Sequence, residues 1–144
     1  MKPVMQNIFP DEANQMRGNC FQASLASILE LPLDQVPHFM EKRNWDQWLG
    51  EWLHRFGMGF VEVRIDGEVP ALAPVPPSIW CIVTGHTNRH PTRLHAVVGK
   101  TVDRGICWDY MHDPHPDGTF LTVATHLMFF VKLDPAITPR EVQS

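Results

Sequence analysis

The sequence predicts an α+β domain in which N-terminal helices pack against a C-terminal antiparallel β-sheet. Three observations carry this expectation: two apolar runs with helical spacing precede Gly57, five short strand-like runs follow it, and Gly and Pro punctuate the runs. Helices first and strands after is the order of segregated elements, with the helices on one side of a sheet.

The first helix is expected from Cys20 to Leu31. Phe21, Leu25, Ile28 and Leu29 recur at helical spacing, Asn19 is a good N-cap type, and Pro32 closes the run because a residue before proline disfavours the helical region. A loop with Pro32 and Pro37 follows. Trp45, Trp48, Leu49, Trp52, Leu53 and Phe56 then form one apolar face of a second helix, ended by Gly57. This stripe reads as core rather than as a substrate groove. The strand candidates are "GFVEVRI" (59–65), "SIWCIVT" (78–84), "LHAVVGK" (94–100), "ICWDYMHD" (106–113) and "HLMFFVKL" (126–133). "EVPALAPVPPS" (68–78) holds four of the thirteen prolines and leads into the sheet as a polyproline-like connection. The tail "DPAITPREVQS" is expected to fray. Residues 1–144 therefore read as a single domain, helical over about 19–57 and β over about 59–133, with no internal repeat.

With 144 residues, 44% of them hydrophobic and 19% charged, the chain can bury a continuous core and lies outside the disordered range. A net charge of −4 with no basic run gives no footprint for a phosphate backbone, so nucleic acid is not among the expected partners. The opening stretch lacks the apolar region of a secretory signal, and no apolar run reaches the roughly 18 residues of a membrane span. The expected compartment is the cytoplasm, with no membrane partner. Cys20, Cys81 and Cys107 stand far apart, which argues against a disulfide framework or a thiolate zinc site and leaves at least one free thiol.

Cys20 stands directly in front of a helix. Unpaired backbone N–H groups and the helix dipole favour a thiolate at such a place, and the thiolate is the nucleophile. Position alone favours a packed small hydrophobe, so a base and an orienting group must be found. His95 opens the apolar strand "HAVVG", where a solvated histidine would be out of character. If "DRG" (103–105) is a three-residue loop with Gly105 left-handed, Val102 pairs with Ile106 and His95 lies opposite Asp113. Directly opposed Cβ atoms are about 5 Å apart, close enough for a carboxylate to hold an imidazole in one tautomer. Asp109 would sit about 13 Å further along the strand. A two-residue loop would instead put His112 opposite His95. Gln15, five residues before Cys20, and the Cys20 backbone N–H are candidate donors to an oxyanion.

Together, Gln15, "NCFQASLASIL", "HAVVGK" and "HDPHPDG" make the chain resemble the papain-like cysteine hydrolases, and more narrowly small bacterial and phage proteins related to the C39-type, bacteriocin-processing cysteine peptidases. The similarity runs from Gln15 to about Leu121. It implies a papain-like fold and a thiol-protease site with Cys20 as nucleophile, His95 as general base and acid, Asp113 as orienting group and Gln15 as oxyanion donor. That family usually carries its glutamine six residues before the cysteine; here Asn14 stands there, so Asn14 and Gln15 are both candidates. The chain also lacks the transporter domain to which many C39 peptidases are fused.

The reaction expected is attack of the Cys20 thiolate on an amide or related acyl carbonyl of a peptide, protein or small amide, through a thioester acyl-enzyme and with no cofactor. The loop 85–93 and "HPDG" would rim the cleft, with His115 and Arg93 contacting substrate. Two rival readings are a non-catalytic binding or effector module on the same fold, and a metal-dependent hydrolase using His86, His90, His112 and His115. The leaving group and the oligomeric state are not legible in the residues.

Overall fold

A computed structural model describes residues 1–65, 75–102 and 108–134. The expected prolines of 68–74, the "DRG" loop, Cys107 and the tail from Pro135 lie outside the described residues. Helix α1 spans Cys20–Leu29 and α2 spans Trp45–His54, with single 3-10 turns at Leu33–Gln35 and Phe39–Glu41 between them. The strands are β1 Met58–Arg64, β2 Trp80–His86, β3 His95–Thr101, β4 Trp108–His112 and β5 Val123–Lys132. They form a five-stranded antiparallel sheet in the order β1-β5-β2-β3-β4. The expected α+β order, helices then an antiparallel sheet, is therefore present. No described helix is long and apolar enough to cross a membrane.

α1 is capped by a left-handed Glu30, and the Leu31 N–H reaches back to the Ala26 carbonyl; the last helical residue, Leu29, is three residues before the proline expected to stop the helix. Gly57, at a φ of +68°, takes the left-handed turn out of α2 as the sequence implies. Both helices share one core with the sheet: Phe21 and Leu25 of α1 and Leu49, Trp52 and Leu53 of α2 pack with Phe39, Ile82, Ala96 and Met128. Cys81, Val83, Val97 and Leu127 belong to a second cluster with Ile65, the alternate residues of the same strands. Burying the leucines and phenylalanines of the first cluster stabilises the fold by about 1.5–3 kcal/mol each.

Asn19 occupies the N-cap position, yet its side chain makes no cap hydrogen bond. Its Oδ1 instead accepts from the Asn7 and Ile8 backbone N–H groups (3.1 and 2.8 Å), and its Nδ2 donates to Asn7 Oδ1 and Gln22 Oε1. The buried Asn19 thus ties the amino-terminal strand of chain to the start of α1. Further bonds extend the tie: Lys2 N–H to the Ser27 carbonyl, Val4 N–H to Ser27 Oγ, and Gln6 N–H to the Pro114 carbonyl.

The β3–β4 register differs from the expected one. The ladder pairs Thr101 with Trp108, where a three-residue loop would pair it with Cys107, and a bulge between Val98 and Gly99 adds another shift, so Val98 faces His112. β4 ends there. Asp113 comes to His95 from the turn after the strand, not from across a ladder.

Candidate active site

β3 and α1 bring Cys20 and His95 together. β4 pairing stops at Val98, and the Ala96 N–H and C=O, one pair short of His95, are taken up by α1 instead. The N–H donates to Cys20 Sγ at 3.4 Å, and the carbonyl accepts from Ser24 Oγ at 3.2 Å. Cys20 and Ser24 are one helical turn apart, so one face of α1 brackets one residue of β3.

His95 is buried, and its Nε2–H donates to Asp113 Oδ1 at 2.7 Å. That leaves Nδ1 for the hydrogen bond with Cys20. Burial works against a charged ring here, but the hydrogen bonds to Asp113 and Cys20, together with their charges, outweigh it and bring the imidazolium up to about 9. Asp113 is more deeply buried, its side chain 1% exposed. Oδ1 also accepts from the His115 N–H at 2.9 Å, an Asx turn through Pro114, and Oδ2 accepts from the Phe120 N–H at 2.8 Å. Burial pushes the Asp113 carboxyl up, while the His95 bond and the two backbone N–H groups pull it down more strongly, leaving it below the ordinary carboxylate value. The same carboxylate therefore organises the 113–120 turn and holds the imidazole.

Cys20 and His95 stand in the wall of an open cleft of about 550 Å³, with Asp113 buried behind His95. Arg93 and His115, expected at the rim, both line it; the His115 ring lies edge-on to His95 with centroids 6.3 Å apart. Gln15 does not line the cleft. It sits exposed in a turn closed by its N–H to the Glu12 carbonyl, with φ at +53°, and Asn14 is exposed and bonded to Asp11. The glutamine on the cleft is Gln6, which is 5% exposed; its Nε2 donates to the Ile8 carbonyl at 3.0 Å, and its Oε1 is buried without a hydrogen-bond partner. No local pattern marks Gln6 in the sequence, because it is placed by the Asn19 tie and the Pro114 carbonyl. Trp45, read as pure core, also lines the cleft, half-buried and stacked on Phe60 with its edge to Phe21. Trp48 and Trp52 pack on Phe39 as expected.

No family model, characterised protein or solved structure matches this chain. Of the four histidines considered as metal ligands, His90 and His115 line the cleft, His86 is exposed at the end of β2, and His112 Nε2 bonds the Val4 carbonyl at 2.8 Å. Among the described residues, no group of three His, Cys, Asp or Glu side chains could hold a metal ion. The arrangement that is present, a thiol and an imidazole on an open cleft with a buried carboxylate behind the imidazole, is suited to nucleophilic acyl transfer.

Proposed function

We propose that the protein is a cysteine hydrolase, a peptidase or amidase of the papain-like, C39-like kind, acting on a peptide, protein or small amide. The observation that carries the reading is the chain of contacts from Cys20 through His95, both on the cleft wall, to Asp113 buried behind them. In this order each group needs the next: the carboxylate fixes the Nε2–H tautomer, which turns Nδ1 to the thiol.

The Cys20 sulfur attacks the carbonyl carbon as its proton passes to His95, forming the C–S bond and an oxyanion. The Cys20 backbone N–H, one of the first-turn amides without an intrahelical partner, is one donor to that oxygen. The second Nε2 hydrogen of Gln6 is the other, in the role expected of Gln15. The C–N bond then breaks as His95 gives its proton to the leaving nitrogen. Water attacks the thioester, His95 takes the water's proton, and the C–S bond breaks to release acid and thiolate. A free catalytic thiol suits a reducing compartment, and the proposal keeps the protein in the cytoplasm.

Iodoacetamide labelling of the native protein, mapped by mass spectrometry, tests this reading. Cys20 should label faster than Cys81 and Cys107 at about pH 6.5, with the advantage lost in His95→Ala. Buried Cys81 is the internal reference, its thiol pushed up to about 12 by burial. Equal labelling of the three thiols would instead leave a binding module on this fold.

A further inference from the structure

Three arginines line the cleft, Arg17, Arg89 and Arg93, against one carboxylate, Glu62. This is opposite in sign to the chain as a whole, whose net charge is −4. The three are not equivalent. Arg89 Nη1 lies 2.7 Å from both oxygens of Asp117 and 2.6 Å from Thr119 Oγ1, which ties the 87–94 loop to the turn after Asp113. Its charge is matched. Arg17 Nη1 donates to the Met40 carbonyl at 3.0 Å and Arg93 Nη1 to the Met16 carbonyl at 3.3 Å, both neutral acceptors. Among the described residues, the carboxylate within 4.0 Å of either is Glu12, at that distance from Arg93 Nε and itself exposed. A guanidinium carries five N–H donors in a planar fork, so each retains an edge that fits a carboxylate bidentately.

The opposing charge is at the other end. Glu62 is on β1, three strands away from β3 in the sheet, which corresponds to about 14 Å at the usual strand spacing. Arg17 is three residues before Cys20, and Arg93 is two before His95. That much chain keeps the two Cα atoms within at most roughly 7–10 Å of Cys20 and His95, and both arginines line the same cleft as that pair, within reach of a side chain next to the carbonyl under attack.

We infer that the cleft selects substrates bearing a carboxylate close to the scissile carbonyl, such as a peptide with an acidic residue beside the attacked bond, through Arg17 and Arg93. This rests on the cysteine-hydrolase reading and narrows its substrate class. Electrostatic recognition of this kind acts on encounter and fit, and salt screens it.

A matched pair of N-acetyl dipeptidyl chloromethyl ketones tests it, the two differing only in Glu or Gln at the residue next to the reacting one. In the intact protein at low salt, the Glu probe should alkylate Cys20 about tenfold faster, and the ratio should shrink at about 0.5 M NaCl. In the double variant R17Q/R93Q the Glu-to-Gln ratio should fall to about one, while R17K/R93K retains part of it. A Gln probe as fast as the Glu probe in wild type, or a ratio that survives in R17Q/R93Q, overturns the inference while leaving the hydrolase reading in place. So does a Cys20 that reacts with iodoacetamide faster than Cys81 but takes neither probe. The salt titration of wild type decides the matter even where a variant does not fold. A Cys20 no more reactive than Cys81 to any reagent overturns the hydrolase reading itself.

Discussion

His95 Nε2 lies 2.7 Å from Asp113 Oδ1, although Asp113 is not a ladder partner of β3 and joins the site from the turn after β4. Three of the carboxylate's four lone-pair directions are used: it accepts the imidazole N–H and two backbone N–H groups at once. Orientation of the base and closure of the turn are therefore one structural unit.

Asp113→Ala should unfold the site as well as disable it. It leaves three N–H groups without their acceptor, one buried and two part-buried, and an unsatisfied buried donor is worth about 1–3 kcal/mol. We expect a loss of about 3 kcal/mol or more in urea unfolding. Asp113→Asn keeps the shape and part of the acceptor capacity, so its stability should fall less, while Cys20 alkylation at about pH 6.5 drops at least tenfold because the tautomer and the charge are lost. Equal stability losses in the two variants would show that the carboxylate's hydrogen bonds do not hold the turn.

The pH dependence of stability follows from the same pair. The His95 value is raised from 6.5 to about 9 in the folded protein, so its contribution is complete below about 6.5 and is lost as pH rises through about 9. The Asp113 value is lowered from 3.8, so its contribution is complete above 3.8 and is lost as pH falls through the depressed value. The unfolding midpoint should therefore be flat between about pH 5 and 6.5 and decline toward pH 9, by at most about 1.4 kcal/mol per pH unit from this group. In Asp113→Asn the alkaline decline should shrink, since only the Cys20 contribution to the raised His95 value remains. Measurements stop near pH 9, above which ionisation of Cys81 in the unfolded chain adds its own loss.

Gln6 and Gln15 separate two readings of the oxyanion site. Loss of a single oxyanion donor lowers kcat by about 100- to 1000-fold. Gln6→Ala should do so on any substrate the enzyme turns over, with KM little changed, whereas exposed Gln15→Ala should leave both constants alone. The reverse result would return the role to the segment just before Cys20.

The helices, the strands and the Cys20–His95 pair were legible because each rests on local pattern: helical spacing before Gly57, period-two runs after it, and a cysteine and a histidine at the starts of elements. The β3–β4 register was not. It depends on a bulge between Val98 and Gly99, and a bulge leaves the alternation on either side intact while moving every partner. Asp113 does contact His95, although the β3–β4 register that suggested the pairing is not the one formed. Gln6 and Trp45 were missed for a related reason. Gln6 is brought in by backbone bonds to Asn19 and Pro114, and Trp45 ends an apolar stripe whose other tryptophans are core, so neither carries a mark in its own neighbourhood.

Gly85 links the sheet to the site and gives a last prediction. It is buried in β2, where the pairing with β5 shifts between Thr84 and Gly85, and it is the ladder partner of His95 on β3. A Cβ there would meet the Val123 carbonyl oxygen and stand 2.8 Å from Ala124 Cα, both backbone, so the strands themselves must move. Gly59 in β1 is the control: a Cβ there meets the tip of the flexible Leu133 side chain at 3.1 Å. Gly85→Ala should lose about 2–3 kcal/mol in urea unfolding, because overpacking against backbone outweighs the entropic gain of replacing glycine. Gly59→Ala should stay within about 0.5–1 kcal/mol of wild type. The shift in β2 should also carry His95 away from Cys20, so Gly85→Ala should slow Cys20 alkylation under conditions where it is still folded, and Gly59→Ala should not. Wild-type alkylation in a folded Gly85→Ala protein would mean that the thiol–imidazole contact is fixed by α1 alone, through Cys20 and Ser24 on Ala96, and not by the register of β2 on β3.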